Sequence, residues 1–552
     1  MKSRLLVVFA LATSLVVVVL AWMIAAQHSA QAHSPSQVAI TTPRSPLAST
    51  AVLTVAISSD VVGLDPALTT DGVSFQVAAQ LYDTLVAYQP GTSVPISGLA
   101  DSWIVSPDGK TWTFNLRPGL KFQDNTSFDA NAVAFNFNRW WDPANPAHTG
   151  SFDYFGFVFG GFKGEPGCLL TGIGALNATQ FQMTLTQALS PLPSTLALPA
   201  FAIASPTAIQ AGTLVTTPVG SGPFTFVEWI PDDHVRLQAN ANYWSSPPHV
   251  SSLTFKVITS TANQLTALQS IAVHSAYNLG PGEVSAASSD PRLRVLWRSP
   301  SNVGYLGINR AHSPLGNLQV RQAIAHAVNR AQIIANYYPD GTEFDSQFLP
   351  SGIWGRDPTI TNYTYDPALA RSLLTQAGFP HGFTTTLSYR DVVRGYLPNP
   401  AQTVAVIAAD LQAVGITTTI TVYESGTFLA KAANGELDLY LLGWGADYLH
   451  PDNFFNPILC AGYLAFGPKD TELCDQVQAS RAEFNFNNQL TQYQWASRRV
   501  YDTLPLLPLA HTRSALVTRR EILGLSASPM AIEAYKDATF ATAWVYLPLI
   551  RR

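Results

Sequence analysis

At 552 residues the chain exceeds one ordinary domain and calls for about two to four. A composition of 47% hydrophobic and 12% charged residues fills cores and rules out wholesale disorder, while 38 prolines and 36 glycines without a period rule out collagen and coiled coil. A formal charge of −5 with no run of basic residues argues against nucleic acid as a partner, and three cysteines are too few for a disulfide scaffold or a zinc cluster.

Lys2 and Arg4 precede an apolar run from Leu5 to Ala26, followed by Ala30-Gln31-Ala32, which has the form of a cleavage site. Residues 1–32 therefore read as an export signal; the run is also long enough for an uncleaved membrane anchor, and both readings stand. With no cysteine nearby, a lipidated cysteine is excluded. Residues 33–50, rich in Ser, Thr, Pro and Ala, read as a flexible tether to a soluble extracytoplasmic body.

Strands are expected at 53–57, 103–105 and 111–117, the last two joined through Pro107-Asp108-Gly109 as a hairpin. Asp129 is placed to cap a helix over 130–141. Further strands are expected at 180–186, 224–230, 235–239 and 253–258. The second half alternates. After a strand at 303–309, Val320, Ala323, Ile324, Ala327, Val328, Ala331 and Ile334 mark one helix face. Asp366-Pro367 opens a helix with Leu369, Leu373 and Ala377 inward and Gly378 as its stop. A strand at 383–389, a helix at 401–414 burying Val404, Ile407, Ala408 and Leu411, a stop at Gly415, and strands at 416–423 and 437–442 complete an α/β pattern. Ligands of such sheets tend to lie at the carboxyl ends of the strands.

The segments Gly63-Leu-Asp-Pro, Leu99-Ala-Asp-Ser-Trp, Pro107-Asp-Gly-Lys-Thr-Trp, Gly220-Ser-Gly-Pro-Phe, Asn302-Val-Gly-Tyr, Val320-Arg-Gln-Ala-Ile, Tyr365-Asp-Pro-Ala-Leu-Ala and Gly443-Trp-Gly-Ala-Asp-Tyr, in this order, resemble the extracytoplasmic solute-binding proteins of peptide ABC transporters (family 5). The resemblance implies an α/β fold of the periplasmic-binding-protein type II class, in its large three-domain subclass, with a cleft between two hinged lobes. It implies domain I from residues 51–87, 207–298 and 518–552, an accessory domain II at 88–206, and domain III at 299–517. It further implies a peptide ligand and a membrane permease as partner; with the export segment, a monomer in the periplasm or at the cell surface is expected, with no cofactor or metal. A chain that leaves a lobe and returns to it makes a hinge, and a ligand favours closure by binding the closed state better.

Asp447 matches, in register, the family aspartate that pairs with the ligand's α-ammonium group. A water-excluding cleft needs such a carboxylate for a group with a full charge and three donors; the competing reading is a cap on the following turn. Gly443 and Gly445 flank Trp444 after an apolar strand, a pattern that allows close backbone approach beside a large ring. Arg394, before Gly395-Tyr-Leu-Pro-Asn-Pro, matches the family arginine that meets a dipeptide carboxylate better than Arg390 does; the family has Pro where this chain has Gly395, and a solvated loop arginine is the alternative. Two fixed partners would select zwitterions of one length. Gly72, in Thr70-Asp71-Gly72, resembles part of a loop near the ligand, with a surface turn as the alternative. Cys460 and Cys474 stand at the position of a family disulfide, leaving Cys168 unpaired. Within the family, oligosaccharides, haem and nickel chelates are alternative ligands, and His450 is the one histidine near the presumed cleft. A secreted hydrolase is the rival from another class, but neither G-x-S-x-G nor H-E-x-x-H occurs.

Overall fold

The computed structural model describes residues 51–277, 279–461 and 464–541. The expected export segment and tether (1–50), and residues 542–552 of the expected domain I, lie outside the described residues.

A seven-stranded sheet runs in the order Leu293–Trp297, Ala515–Arg519, Ser275–Ala276, Val52–Ile57, Ser252–Val257, His234–Ala239, Phe224–Ile230. Val52–Ile57 pairs in parallel with both of its neighbours, and the other pairings are antiparallel. Alternation sends Leu53, Val55 and Ile57 into one core and Ala56 into the opposite one, so both faces are covered.

A four-stranded antiparallel sheet, Ala100–Val105, Thr111–Leu116, Gln180–Leu185, Leu170–Asn177, carries the expected hairpin. Trp112, Phe114, Phe181 and Met183 bury one face against the helix Ala130–Trp141, and Ile104 is left 63% exposed. That helix starts where its cap predicts, because Asp129 accepts from the Ala132 amide at 2.9 Å.

The five-stranded sheet has the order Ile416–Tyr423, Phe383–Arg390, Leu439–Gly445, Asn302–Ile308, Leu506–Ala510, and its first three strands are mutually parallel. Leu306, Ile308, Leu439 and Leu441 share a core with Ile407 and Leu411 of the helix Pro400–Ala413. Val303, Tyr305 and Tyr440 face the opposite core with Phe454 and Tyr493.

Three expectations need correction. The helix expected along 320–334 is two, Leu318–Ala327 and Arg330–Tyr337, because Val328 is extended and Asn329 caps the second by accepting from the Gln332 amide at 3.1 Å. In Pro367–Gln376 the fully buried residues are Ala370 and Leu374, while Leu369 is 39% exposed, so the inward stripe is rotated by one residue. The Gly-Trp-Gly segment does not follow its strand but belongs to it, with Gly443 opposite Gly304 and Gly445 opposite Asn302.

The chain passes between the seven- and five-stranded sheets twice, at 298–301 and 511–514, side by side. Trp297 pairs with Ala515 on one side of the passage and Gly304 with Ala510 on the other. Between them, the Arg298 amide donates to the Ser514 carbonyl at 3.0 Å. The Asn302 carboxamide accepts from the Thr512 amide at 3.0 Å and hydroxyl at 2.8 Å, and donates to the Thr512 carbonyl at 3.1 Å. The boundary expected at 517/518 therefore cuts through the strand Ala515–Arg519, and the one at 87/88 cuts through Val86–Tyr88. Among the described residues no helix is long and apolar enough to cross a membrane.

Candidate functional site

Phe383–Arg390 and Leu439–Gly445 are adjacent and parallel, so their carboxyl ends open on the same edge of the sheet. The loops that carry Arg394 and Asp447 leave from those two ends. An open α/β sheet offers its ligand position at such an edge.

The Asp447 carboxylate is largely buried. It accepts from the Tyr154 hydroxyl at 3.3 Å and from the Asn453 amide nitrogen at 3.4 Å, while the Asp447 amide donates to Asn453 Oδ1 at 2.8 Å. Its carboxylate takes these bonds from side chains, which departs from the expected alternative of a turn cap. Burial raises its pKa above the ordinary aspartate value; the bonds from Asn453 and Tyr154 oppose that rise, and among the described residues no cation contributes. The Tyr154 hydroxyl is pushed up in turn, by burial first and then by the facing Asp447.

Tyr154 belongs to the helix Asp153–Phe159, which packs on the core of the four-stranded sheet, so this contact joins two regions of the chain 293 residues apart. Its ring lies 5.5 Å from that of Phe75 in the helix Gly72–Leu81. Gly72 is the first residue of that helix, which Asp71 caps by accepting from Ser74 N at 2.8 Å; the segment is a helix start rather than a surface turn. A Cβ at Gly72 would meet Tyr277 Oη at 3.1 Å. Beyond Asp447, Tyr448 buries itself in the core of the four-stranded sheet, and the Leu449 amide donates to Tyr88 Oη at 3.0 Å.

The two glycines beside Trp444 serve different ends. A Cβ on Gly443 would stand 2.3 Å from the Tyr396 ring and 2.5 Å from the Val303 carbonyl, and one on the opposing Gly304 would stand 2.3 Å from the Tyr396 carbonyl. The pair is a saddle for Tyr396. Gly443 was expected to allow a close approach, and the group that takes the space is Tyr396 of the chain itself. Gly445 is exposed, with nothing within 4 Å of its missing Cβ. Trp444 is half-buried, and its indole donates to Asn453 Oδ1 at 3.2 Å.

Arg394 is exposed at the head of a tight turn in which its amide and carbonyl both bond to Leu397, at 3.2 and 2.9 Å. Its guanidinium donates to the neighbouring Val393 carbonyl at 3.1 Å, and among the described residues no carboxylate pairs with it. Gly395 sits in open space. Arg390, by contrast, is tied to Ser425 Oγ at 2.7 Å and Tyr396 Oη at 3.3 Å.

Cys460 and Cys474 form a disulfide with Cα atoms 5.4 Å apart, joining the turn Asn456–Cys460 to the helix Thr471–Arg481, and Cys168 is unpaired. His450 is buried, with Trp354 and Tyr493 edge-on to it, and its Nδ1 accepts from the Asp452 amide at 3.1 Å. Burial, assisted by Arg481, pushes its pKa down to about 3, so the ring is neutral and works as a structural acceptor. Among the described residues no cluster of three or more His, Cys, Asp or Glu has the arrangement of a metal site.

Asn453, Tyr154 and Tyr396 are the site residues that sequence reasoning missed. Tyr396 adjoins the quoted arginine motif and Asn453 lies only six residues beyond Asp447, so both were within view. Tyr154 carries no local signal.

Residues 94–463 match the family model of the bacterial extracellular solute-binding proteins, family 5 middle region. Over 499 residues the chain is 31% identical to the dipeptide-binding protein of Escherichia coli K12, covering 86% of this chain and 92% of that protein. Over 502 residues it is 28% identical to heme-binding protein A of Haemophilus influenzae, covering 86% and 89% respectively. The crystal structure of a dipeptide binding protein from Pseudoalteromonas sp. SM9913 in complex with Met-Leu aligns with a TM-score of 0.70 at 27% identity, covering 89% of this chain and 100% of that one. The chain belongs to family 5 of the bacterial extracellular solute-binding proteins, and its α/β architecture is the two-lobed, multidomain fold of that family.

Proposed function

We propose that this protein captures short peptides, dipeptides foremost, outside the cytoplasm and delivers them to an ABC transporter permease, working as a monomer whose lobes close on the ligand. The observation that carries this reading is the largely buried Asp447 carboxylate, which has two neutral donors and, among the described residues, no cation. A carboxylate left in that state costs free energy, and a ligand ammonium is the group that relieves it. Arg394, with no carboxylate of its own, waits at the neighbouring strand end as partner for the other terminus. Two residues of extended chain span at most roughly 7 Å, so the pair would gauge length. Trp444, the open space over Gly445 and the helix start at Gly72 supply the remaining contact surface.

In this reading the seven-stranded sheet is domain I, the four-stranded sheet domain II and the five-stranded sheet domain III. The paired passages at 298–301 and 511–514 are the hinge. Residues 1–32 direct export, as a cleaved signal or a retained anchor.

Similarity to a heme-binding protein at nearly the same identity supports a second reading, a haem ligand on the same fold. Native mass spectrometry of the purified protein separates the two: a bound peptide mass is expected, and a haem mass would replace the first reading. Added di- and tripeptides should raise the melting temperature and be recovered intact. Cleavage in excess of stoichiometry that copurifies with the protein would turn the assignment to a hydrolase.

A further inference from the structure

We propose that Asn453 is a positioning residue that locks the Asp447 carboxylate and the Trp444 ring into one recognition unit; this rests on the reading of Asp447 as the anchor for a ligand ammonium. Two N–H donors, the Asp447 amide at 2.8 Å and the Trp444 indole at 3.2 Å, converge on Asn453 Oδ1. Neither donor can be reversed, so the carboxamide has one orientation, and its NH2 group must turn toward Asp447, where it lies 3.4 Å from Oδ2. One side chain therefore fixes the backbone, the carboxylate and the neighbouring aromatic ring together.

Asn453 is itself held firmly. It is fully buried in the helix Asp452–Phe455, and its amide donates to the His450 carbonyl at 3.1 Å. The adjoining Asp452 accepts from Tyr448 Oη at 2.9 Å and faces Arg481 as an opposite charge at 3.2 Å. A bond from a neutral amide favours the ionised carboxylate without neutralising it, and it holds Asp447 aimed before a ligand arrives. Supplying a cation from the protein would have filled the position that a ligand ammonium takes. The same lock ties the ring to the carboxylate, so a ligand whose ammonium reaches Asp447 meets Trp444 at a fixed distance and angle.

The test compares wild type with Asn453→Ala and with Asn453→Leu, which matches the lost side chain in size. Calorimetric affinities are measured for a free dipeptide and its N-acetylated form, and solvent exchange of the Trp444 indole proton is followed by NMR in the ligand-free protein, assigned with Trp444→Phe. Either Asn453 variant should lose about tenfold or more in affinity for the free dipeptide, the scale of one hydrogen bond to a charged group, with little change for the acetylated form and faster indole exchange. A variant that keeps the wild-type preference for free over acetylated ligand overturns the inference. If wild type itself shows no such preference, the reading of Asp447 fails separately, and indole exchange then decides: unchanged exchange in both variants overturns the lock, and faster exchange upholds it.

Discussion

Asp447 and Arg394 leave adjacent parallel strands, yet the acidic end of the candidate site is half-buried, bonded to two side chains and backed by the helix Asp452–Phe455, whereas the basic end is an exposed arginine on a four-residue turn bonded only to its own loop. The two ends carry different energetic burdens. In the proposed reading the half-buried carboxylate bears part of its desolvation cost before any ligand arrives, and a ligand ammonium would recover it. The exposed guanidinium would shed its water only on pairing with a ligand, and what it gained would be offset by what it shed. Selectivity should therefore concentrate at the amino terminus of the ligand, with the carboxyl end adding a smaller increment.

The strongest way to break this contrast is Asp447→Ala, which should weaken free dipeptide binding by about 3 kcal/mol or more, the scale for stranding a desolvated charge. N-acetylation of the ligand should cost wild type a similar amount and the variant much less; calorimetry on the four combinations decides. Equal affinity of wild type for free and acetylated dipeptide would remove Asp447 as the anchor.

Next in size is Gly443→Ala. The added methyl has no room between Tyr396 and the Val303 carbonyl, so the sheet or the Arg394 turn must shift, at about 1–3 kcal/mol of stability. Gly445→Ala, in open space, should leave the melting temperature unchanged. Equal melting temperatures for the two variants would show that the saddle does not hold the turn.

Arg394→Ala should weaken dipeptide binding by about 1 kcal/mol, in keeping with a solvent-exposed charge pair, with a smaller salt dependence than wild type. Dipeptide amides, which lack the carboxylate, should bind wild type and variant alike. A loss as large as that from Asp447→Ala would erase the asymmetry.

The smallest effect concerns pH. Because burial raises the Asp447 pKa above its unfolded value, the folded state holds that proton more tightly. The resulting stability is fully present below the unfolded aspartate pKa and is lost as pH rises through the folded one. Asp447→Asn should therefore flatten part of the fall in melting temperature between acidic and neutral buffer. Wild-type affinity for a free dipeptide should decline as pH falls through the same window, since a protonated carboxyl no longer pairs with ammonium. An unchanged profile in the variant would place the titration elsewhere.

Elements were legible wherever a local signal and the tertiary environment agreed. Asp129 marks the start of its helix, Gly415, at φ +97°, stops another, and the β-branched residues of 416–423 suit the strand they form. The break at Val328 was hidden because the apolar face continues across it, although Asn329 carries the residue type of a cap. In Pro367–Gln376 the rows containing Leu369 and Ala370 are both apolar, and only packing against the neighbouring helix Leu318–Ala327 chooses between them. At the site, residue identity pointed to Asp447 and Arg394, but Tyr154, from a distant region, is brought in by tertiary packing alone. Gly443 was singled out for a close approach that does occur, and the approaching group is Tyr396.

The paired passages between the sheets constrain how the molecule can move. A ribbon two strands wide bends out of its own plane with far less resistance than within it, and the hydrogen bonds between Asn302 and Thr512 oppose sliding of one strand past the other. If these passages are the hinge, relative motion of the lobes is channelled into a single soft coordinate, along which any ligand would act regardless of its side chains. In the proposed reading ligand identity would be converted into one mechanical variable, the angle of closure, and a membrane partner that senses that angle would need no knowledge of the molecule bound inside.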